Sequence, residues 1–290
     1  MTIVKKGGLT PGLHLVATPI GNARDITLRA LDVLAGADVL AAEDTRTLRH
    51  LMELHGVPLG DRALLAYHEH NGARMRPRLL AEMAEGRSVA YASEAGTPMI
   101  SDPGFDLARA AREAGHPVTA APGVSAVVTA LCVAAMPTDR FLFAGFLPNA
   151  SGARRRAIED LAAVPATLAF YESPRRLGAM LADAAQALGA RRASVCRELT
   201  KKFEEVRAGT LTELAEFYAE NPPKGEIVVL IEKGDSAIVK EVDLEQEVNK
   251  ALDTMSVRDA ADSLAHRLGV KRRLVYQLAM RLDAERKGKG

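Results

Sequence analysis

Cysteine is nearly absent from the 290 residues: there are two, Cys132 and Cys196, each alone among apolar neighbours. No disulfide framework or zinc-cluster spacing can be built from them, so the expected compartment is a reducing one. Long apolar runs are missing as well. The longest, 126–136, is interrupted by Thr129 and falls short of the roughly 20 residues of a bilayer span. The amino terminus has no apolar signal core, and the expectation is a soluble, cytoplasmic chain with no membrane partner. Net charge is close to zero, at a formal +1, which argues against a globally basic nucleic-acid binder. The sequence contains no internal repeat and no low-complexity tract. It also lacks a glycine-rich dinucleotide fingerprint: the first turn, Thr18-Pro19-Ile20-Gly21-Asn22, has one glycine and a stiff proline. Phosphate-loop spacing is missing too, so a phosphate held on a helix dipole is not the expected ligand.

Apolar residues make up 48% of the chain and charged residues 26%, ordinary values for a globular protein with a sizeable core. Short apolar strands at 13–17, 39–42, 64–67, 89–92 and 118–121 alternate with helical patterns at 26–34 and 47–54 and between the later strands. This alternation predicts an α/β class with a mainly parallel sheet. Near Thr138-Asp139-Arg140 a second α/β set begins, with strands at 141–146, 167–171, 193–197 and 227–232 and helices within 174–188 and 212–220. A polar break at Gly234-Asp235-Ser236 precedes a helical tail. The expected parts are therefore 1–139, 140–235 and 236–290. The loop 93–104, Ser-Glu-Ala-Gly-Thr-Pro-Met-Ile-Ser-Asp-Pro-Gly, falls between a strand and a helix, at the sheet edge where α/β proteins bind ligands. Its composition suits a rigid loop that offers backbone groups to a polar small molecule.

Several segments recur together in a known order: 15–22, Ala41-Ala42-Glu43-Asp44-Thr45-Arg46, 93–104, Pro122-Gly123-Val124-Ser125-Ala126, 143–148, Phe170-Tyr171-Glu172-Ser173 and Arg197-Glu198-Leu199-Thr200-Lys201. Over roughly four-fifths of the chain they resemble the tetrapyrrole methylase superfamily. More narrowly, they resemble its bacterial branch that 2′-O-methylates a cytidine of small-subunit (16S) ribosomal RNA. The main departure is Glu94, where that branch carries aspartate; the charge is kept and the arm is longer. The resemblance implies two α/β domains with S-adenosyl-L-methionine in the cleft between them, a small helical C-terminal appendage, and a homodimer acting on ribosomal RNA or the 30S subunit. It places Pro19, Ala95, Gly96, Thr97, Ile100, Ser125, Ala126, Tyr171 and Val228 against the cofactor. A sulfonium with an amino-acid tail needs backbone donors and acceptors at one end and a flat apolar slot at the other. Gly96 permits close approach, and Pro98 and Pro103 stiffen the loop.

The implied reaction is an in-line displacement, served mainly by alignment and needing no metal. A general base helps a ribose hydroxyl attack. Candidates are Glu43 and Asp44, at the carboxyl edge after a strand, and Glu198 and Lys201 from the second domain. The alternative readings are that Asp44 caps the next helix and that Lys201 contacts phosphate. His68-Glu69-His70-Asn71 has no third metal ligand at a suggestive spacing, and substrate contact by His68 or Asn71 is the better expectation. Arg24 and Arg46 join this substrate group.

Residues 250–290 carry ten Lys and Arg against five Asp and Glu. Ala265, Gly269 and Val275 have the spacing of a helix-turn-helix, and Lys271, Arg272 and Arg273 would open its second helix facing phosphates. The alternative is a helical hairpin packed on the body or on a partner subunit. Two other functions compete with RNA methylation: a superfamily methyltransferase acting on a porphyrinoid or another small molecule, and a non-catalytic DNA-binding regulator. The basic tail and Glu43-Asp44-Thr45-Arg46 disfavour the first. The second would bind duplex DNA without methyl transfer.

Overall fold

A computed structural model describes residues 8–100, 104–234, 238–268 and 272–287. The expected loop residues Ser101, Asp102 and Pro103, the break residues Asp235 and Ser236, and Gly269 and Lys271 of the tail lie outside the described residues. The chain divides into two compact units, Met1–Lys233 and Gly234–Gly290.

The first unit holds two five-stranded sheets. The first sheet comprises β1 (Gly12–Val16), β2 (Val39–Ala42), β3 (Ala63–Ala66), β4 (Ser88–Ala92) and β5 (Val118–Ala121), in the order β3-β2-β4-β1-β5. Every pairing in it is parallel. The strands β1, β2 and β4 are buried along their whole length, which is why they read as continuous apolar runs. Helices cover both faces. Ala30, Val33 and Leu34 of α1 (Leu28–Gly36) and Leu48 and Met52 of α2 (Thr45–Leu54) pack on Val16, Leu40 and Ala90. Leu79 and Met83 of α3 (Gly72–Ala84) and Leu107 and Ala111 of α4 (Gly104–Glu113) pack on Leu13, Leu15 and Val89 on the opposite face. The loops after the neighbouring strands β1 and β4 therefore diverge to opposite faces, and the crevice between them is the topological switch point of the sheet.

The second sheet has the order β6-β7-β10-β8-β9: β6 (Phe141–Phe146), β7 (Thr167–Glu172), β10 (Ile227–Ile231), β8 (Arg192–Arg197) and β9 (Glu205–Thr210). It is mixed. The strands β6 and β7 run parallel, whereas β10 is antiparallel to both neighbours and β8 to β9. The alternation pattern did not predict β9, because Glu205-Val206-Arg207-Ala208-Gly209-Thr210 has no apolar run and its burial alternates at an edge. One face packs on α6 (Ser151–Glu159), α7 (Leu177–Leu188) and α8 (Leu211–Glu220) through Ile158, Leu177, Leu181 and Leu214. The helix α8 starts on a capping box, in which Thr210 accepts the Glu213 N–H and Glu213 accepts the Thr210 N–H.

The other face meets α5 (Ala126–Ala134) and the first loop. Ile20, Val127, Ala130, Leu131, Ala169, Cys196, Leu199, Val228 and Leu230 form one buried cluster across this joint. The two sheets are thus joined by a core of their own, with the switch-point crevice opening beside it.

The second unit contains α9 (Ile238–Leu252), α10 (Val257–Leu268) and α11 (Arg272–Lys287). Leu244, Val248, Ala261, Leu264, Val275, Ala279 and Leu282 make its core, and Ala265 packs on it. No described helix is long and apolar enough to cross a membrane.

Candidate functional site

At the switch point, the loops after β1 and β4 are tied by a two-residue antiparallel bridge. The Thr18 N–H donates to the Gly96 carbonyl at 3.0 Å and the Gly96 N–H to the Thr18 carbonyl at 2.9 Å. The Thr18 hydroxyl donates to the Ser93 carbonyl at 3.1 Å, and the Ser93 hydroxyl to the Gly96 carbonyl. The Thr97 hydroxyl donates to the Val124 carbonyl at 2.9 Å, fastening the loop to the segment before α5. Gly96 has φ +79°, and a Cβ there would press on Ile20 Cγ2 at 3.2 Å; both facts call for glycine. Three residues on, Met99 holds φ +74° without that freedom. The result is a stiff cradle.

The cradle forms one side of a cavity of about 560 Å³. Ala95, Gly96, Thr97, Ile100, Ser125 and Ala126 line this side, and Phe146, Tyr171, Cys196, Leu199, Ile227 and Val228 line the side given by the second sheet. Tyr171 pairs with Val228 across the β7–β10 ladder and stacks edge-on against Phe143 and Phe146, at 4.7 and 5.6 Å. Burial, reinforced by the negative charge of Glu226, pushes the Tyr171 hydroxyl up. Burial pushes the Cys196 thiol up to about 12, so it stays an inert, apolar part of the wall. Ser125 stands at the N-cap of α5 without making a side-chain capping bond, which leaves that helix start open to the cavity.

Among the described residues, those with charge that line the cavity are Glu43, Glu94, Glu172 and Glu226, with no Lys, Arg or His. Glu172 accepts the Ser173 N–H at 2.7 Å through Oε1 and pairs with Arg176, while its buried Oε2 has no hydrogen-bond partner among the described residues. The other predicted bases are held differently. Asp44 caps α2, accepting the N–H groups of Arg46 and Thr47 and bridging the Arg46 guanidinium at 3.0 Å. Those bonds from Arg46 hold its carboxyl at about 2, and it does not line the cavity.

Glu198 accepts the Glu226 N–H at 2.9 Å and the Lys201 ammonium at 3.0 Å, and Lys201 reaches Glu226 at 2.7 Å. The Glu226 N–H, and then Lys201, keep the Glu198 carboxyl below the ordinary value. Burial works against the charge on Lys201, but the bonds to Glu226 and Glu198 outweigh it and raise its pKa. Lys201 therefore keeps its proton in this arrangement, which does not suit it to act as the general base.

The turn carrying these groups is backed onto the first loop. Glu198 and Thr200 adopt φ +51° and +66°, and Thr200 Oγ1 accepts the Asn22 N–H at 3.1 Å. A Cβ on Gly21 would run into Lys201 Cγ and would meet Thr200 Oγ1 at 2.8 Å. Glycine is what allows the two sides to touch here.

Pro19, next to the bridge, is half-buried and does not line the cavity. Neither do Arg24, Arg46, His68 and Asn71. Arg24 and Arg46 are exposed. The Asn71 amide is used inside its own turn: Oδ1 accepts the His68 N–H at 2.9 Å and Nδ2 donates to the Ala66 carbonyl at 3.0 Å. In the second unit Arg272 pairs with Asp262, and Arg273 is exposed. Among the described residues, no group of three or more His, Cys, Asp or Glu side chains could hold a metal ion. Sequence reasoning missed Ile20, Phe146, Leu199 and Glu226; their only signal was membership of the recurring segments or the position just before the last strand.

The pattern described as Tetrapyrrole (Corrin/Porphyrin) Methylases matches residues 12–215, and that described as RsmI C-terminal HTH domain matches 239–283. A relative from Mesorhizobium japonicum, named Ribosomal RNA small subunit methyltransferase I, is 46% identical over 97% of this chain and 96% of its own. A relative of the same name from Escherichia coli O157:H7 is 42% identical over 92% and 94%. Among solved structures, a conserved hypothetical protein from Aeropyrum pernix K1 superposes with a TM-score of 0.61 at 20% identity, over 96% of this chain and 98% of its own. Uroporphyrin-III-C-methyltransferase from Thermus thermophilus superposes with a TM-score of 0.53 at 24% identity, over 77% and 94%. Together with the switch-point cradle and the second sheet that walls it, these matches make the chain a member of the tetrapyrrole methylase family.

Proposed function

We propose that this chain methylates small-subunit ribosomal RNA with S-adenosyl-L-methionine as donor, and that the acceptor is the 2′-hydroxyl of a cytidine ribose. One observation carries the reading: a cavity joins an open helix start, an apolar slot and a lining whose charged members among the described residues are all carboxylates. This set suits a ligand with a carboxylate at one end, a flat base at the other and a cationic sulfur between them. The relatives named Ribosomal RNA small subunit methyltransferase I direct the reading to RNA.

When bound, S-adenosyl-L-methionine supplies a methyl group activated by the positive charge on its sulfur. The α5 start at Ser125 and Ala126 would hold its carboxylate, since the first-turn N–H groups and the helix dipole favour an anion there. Ala95, Gly96, Thr97 and Ile100, backed by Pro19, offer backbone groups to the amino-acid end. Tyr171 and Val228, which line the opposite wall, would hold the adenine. Of the four candidate bases, Glu43 is the one that lines the cavity, and it takes the proton of the attacking hydroxyl. Asp44 fixes the start of α2, while Glu198 and Lys201 hold the facing turn. Alignment of the hydroxyl with the methyl group then provides most of the acceleration.

Arg24, Arg46, His68 and the tail arginines Arg272 and Arg273 serve the RNA side through phosphate contacts. The protein works in the cytoplasm with ribosomal subunits, as a homodimer. The test is transfer of label from S-adenosylmethionine to small subunits from cells lacking the modification, followed by nuclease digestion. Label on a ribose oxygen of cytidine is the expected result. Absence of transfer to a substrate that a known enzyme does modify sinks the proposal.

A further inference from the structure

Phe203 stands apart from the rest of the turn that follows β8. Its side chain is 64% exposed, with the Lys202 ammonium 5.5 Å from the ring centroid. The neighbouring carboxylates are all engaged. Glu198 and Glu226 hold Lys201, Glu204 accepts the Thr200 N–H, and Glu205 is held by Arg197 and Arg207. Lys202 makes no ion pair among the described residues. The turn is rigid, because Lys201 and Glu204 donate their N–H groups back to the carbonyls of Glu198 and Lys201 and Thr200 is tied to Asn22. Leu199, four residues before Phe203, lines the cavity. An exposed aromatic ring with an uncompensated cation beside it, on a rigid turn at a cavity, is the arrangement that receives an unstacked nucleobase and its phosphate.

We propose that Phe203 is a stacking platform for a base of single-stranded RNA at or next to the modified nucleotide, with Lys202 on the adjoining phosphate. The proposal rests on the RNA reading above and adds a specific contact to it. Stacking on one face of the base leaves the ribose free to swing toward the cavity, and it fixes the distance between the base and the cradle. The platform tolerates any base, so it positions the substrate without selecting its sequence.

The chain contains no tryptophan, so Phe203→Trp creates a lone fluorescent reporter that can still stack. Its emission should be quenched by a short single-stranded RNA and not by S-adenosylmethionine alone. In transfer assays Phe203→Ala should lose about tenfold or more in kcat/KM for RNA, while Phe203→Tyr stays within a few-fold of the parent. S-adenosylmethionine affinity and oligomeric state should be unchanged in both. Lys202→Ala should weaken RNA binding and lower its salt slope by about one. Full activity of Phe203→Ala, equal rescue by Phe203→Leu, or dissociation of a dimer by the alanine variant would overturn the proposal; the last would make this face a contact between copies of the chain. Quenching by RNA without methyl transfer by the parent protein would uphold the platform while refuting the methylation reading.

Discussion

At the level of single residues, the acidic groups around the cavity divide by where they lie. Asp44 and Glu198 accept backbone N–H groups and cations away from the cavity lining, and Glu43 and Glu94 are part of that lining. Glu43→Gln should therefore lower kcat by about a hundredfold or more while leaving the S-adenosylmethionine Kd within a few-fold, as read by isothermal titration and single-turnover transfer. Glu198 makes a different prediction. Its pKa lies lower in the folded protein than the ordinary 4.5, so its contribution to stability is complete above that value. The contribution is lost as pH falls through the lower, folded value. Denaturant midpoints of the parent and Glu198→Gln should thus differ by a constant amount at neutral pH and converge in acid. A gap that widened in acid would show that Glu198 does not stabilise the turn through its charge.

Elements explain what single residues cannot. The strands β2 and β6 were legible at their observed limits, because burial on both faces or a clear apolar run marks them; β5 was too, although two of its four residues are exposed. The strand β9 was not, since an edge strand of alternating exposure built from Glu, Arg, Gly and Thr carries little apolar signal. The cradle was legible for a related reason: its prolines, glycines and hydroxyls are local features. The opposing wall depends on which face of β7, β8 and β10 turns toward α5. No local pattern reveals that choice, and so Phe146, Leu199 and Glu226 were missed. The contact at Gly21 is where the two sides meet, and it is open to test. Gly21→Ala should force the turn at 199–201 away from the first loop, raising the S-adenosylmethionine Kd about tenfold, with far-ultraviolet circular dichroism unchanged. Unaltered affinity would mean that the approach of these loops does not set the cavity.

For the molecule as a whole, α5 is an element that the single chain leaves partly uncovered. Its sequence, Ala-Val-Val-Thr-Ala-Leu-Cys-Val-Ala, is apolar on nearly every side. One side is buried in the joint between the sheets, yet Val128 and Val133 remain exposed. A helix apolar all round belongs in an interior, and a second copy of the chain would provide one. Val128→Lys together with Val133→Lys should lower the mass in sedimentation velocity from two chains to one, without loss of the far-ultraviolet signal. An unchanged mass would place the dimer contact elsewhere or remove it.

The carboxylates that line the cavity also bear on how a catalytic cycle ends. A ligand that enters with a cationic sulfur leaves as a neutral thioether, so the chemical step itself switches off part of the attraction that held it. The spent form should then be the more weakly gripped of the two. Glu94→Gln should narrow the preference for S-adenosylmethionine over S-adenosylhomocysteine by about threefold to tenfold at low salt, an effect on the order of 1 kcal/mol. Titration of both ligands against both proteins reads it directly, and an unchanged ratio would assign Glu94 no part in discharge.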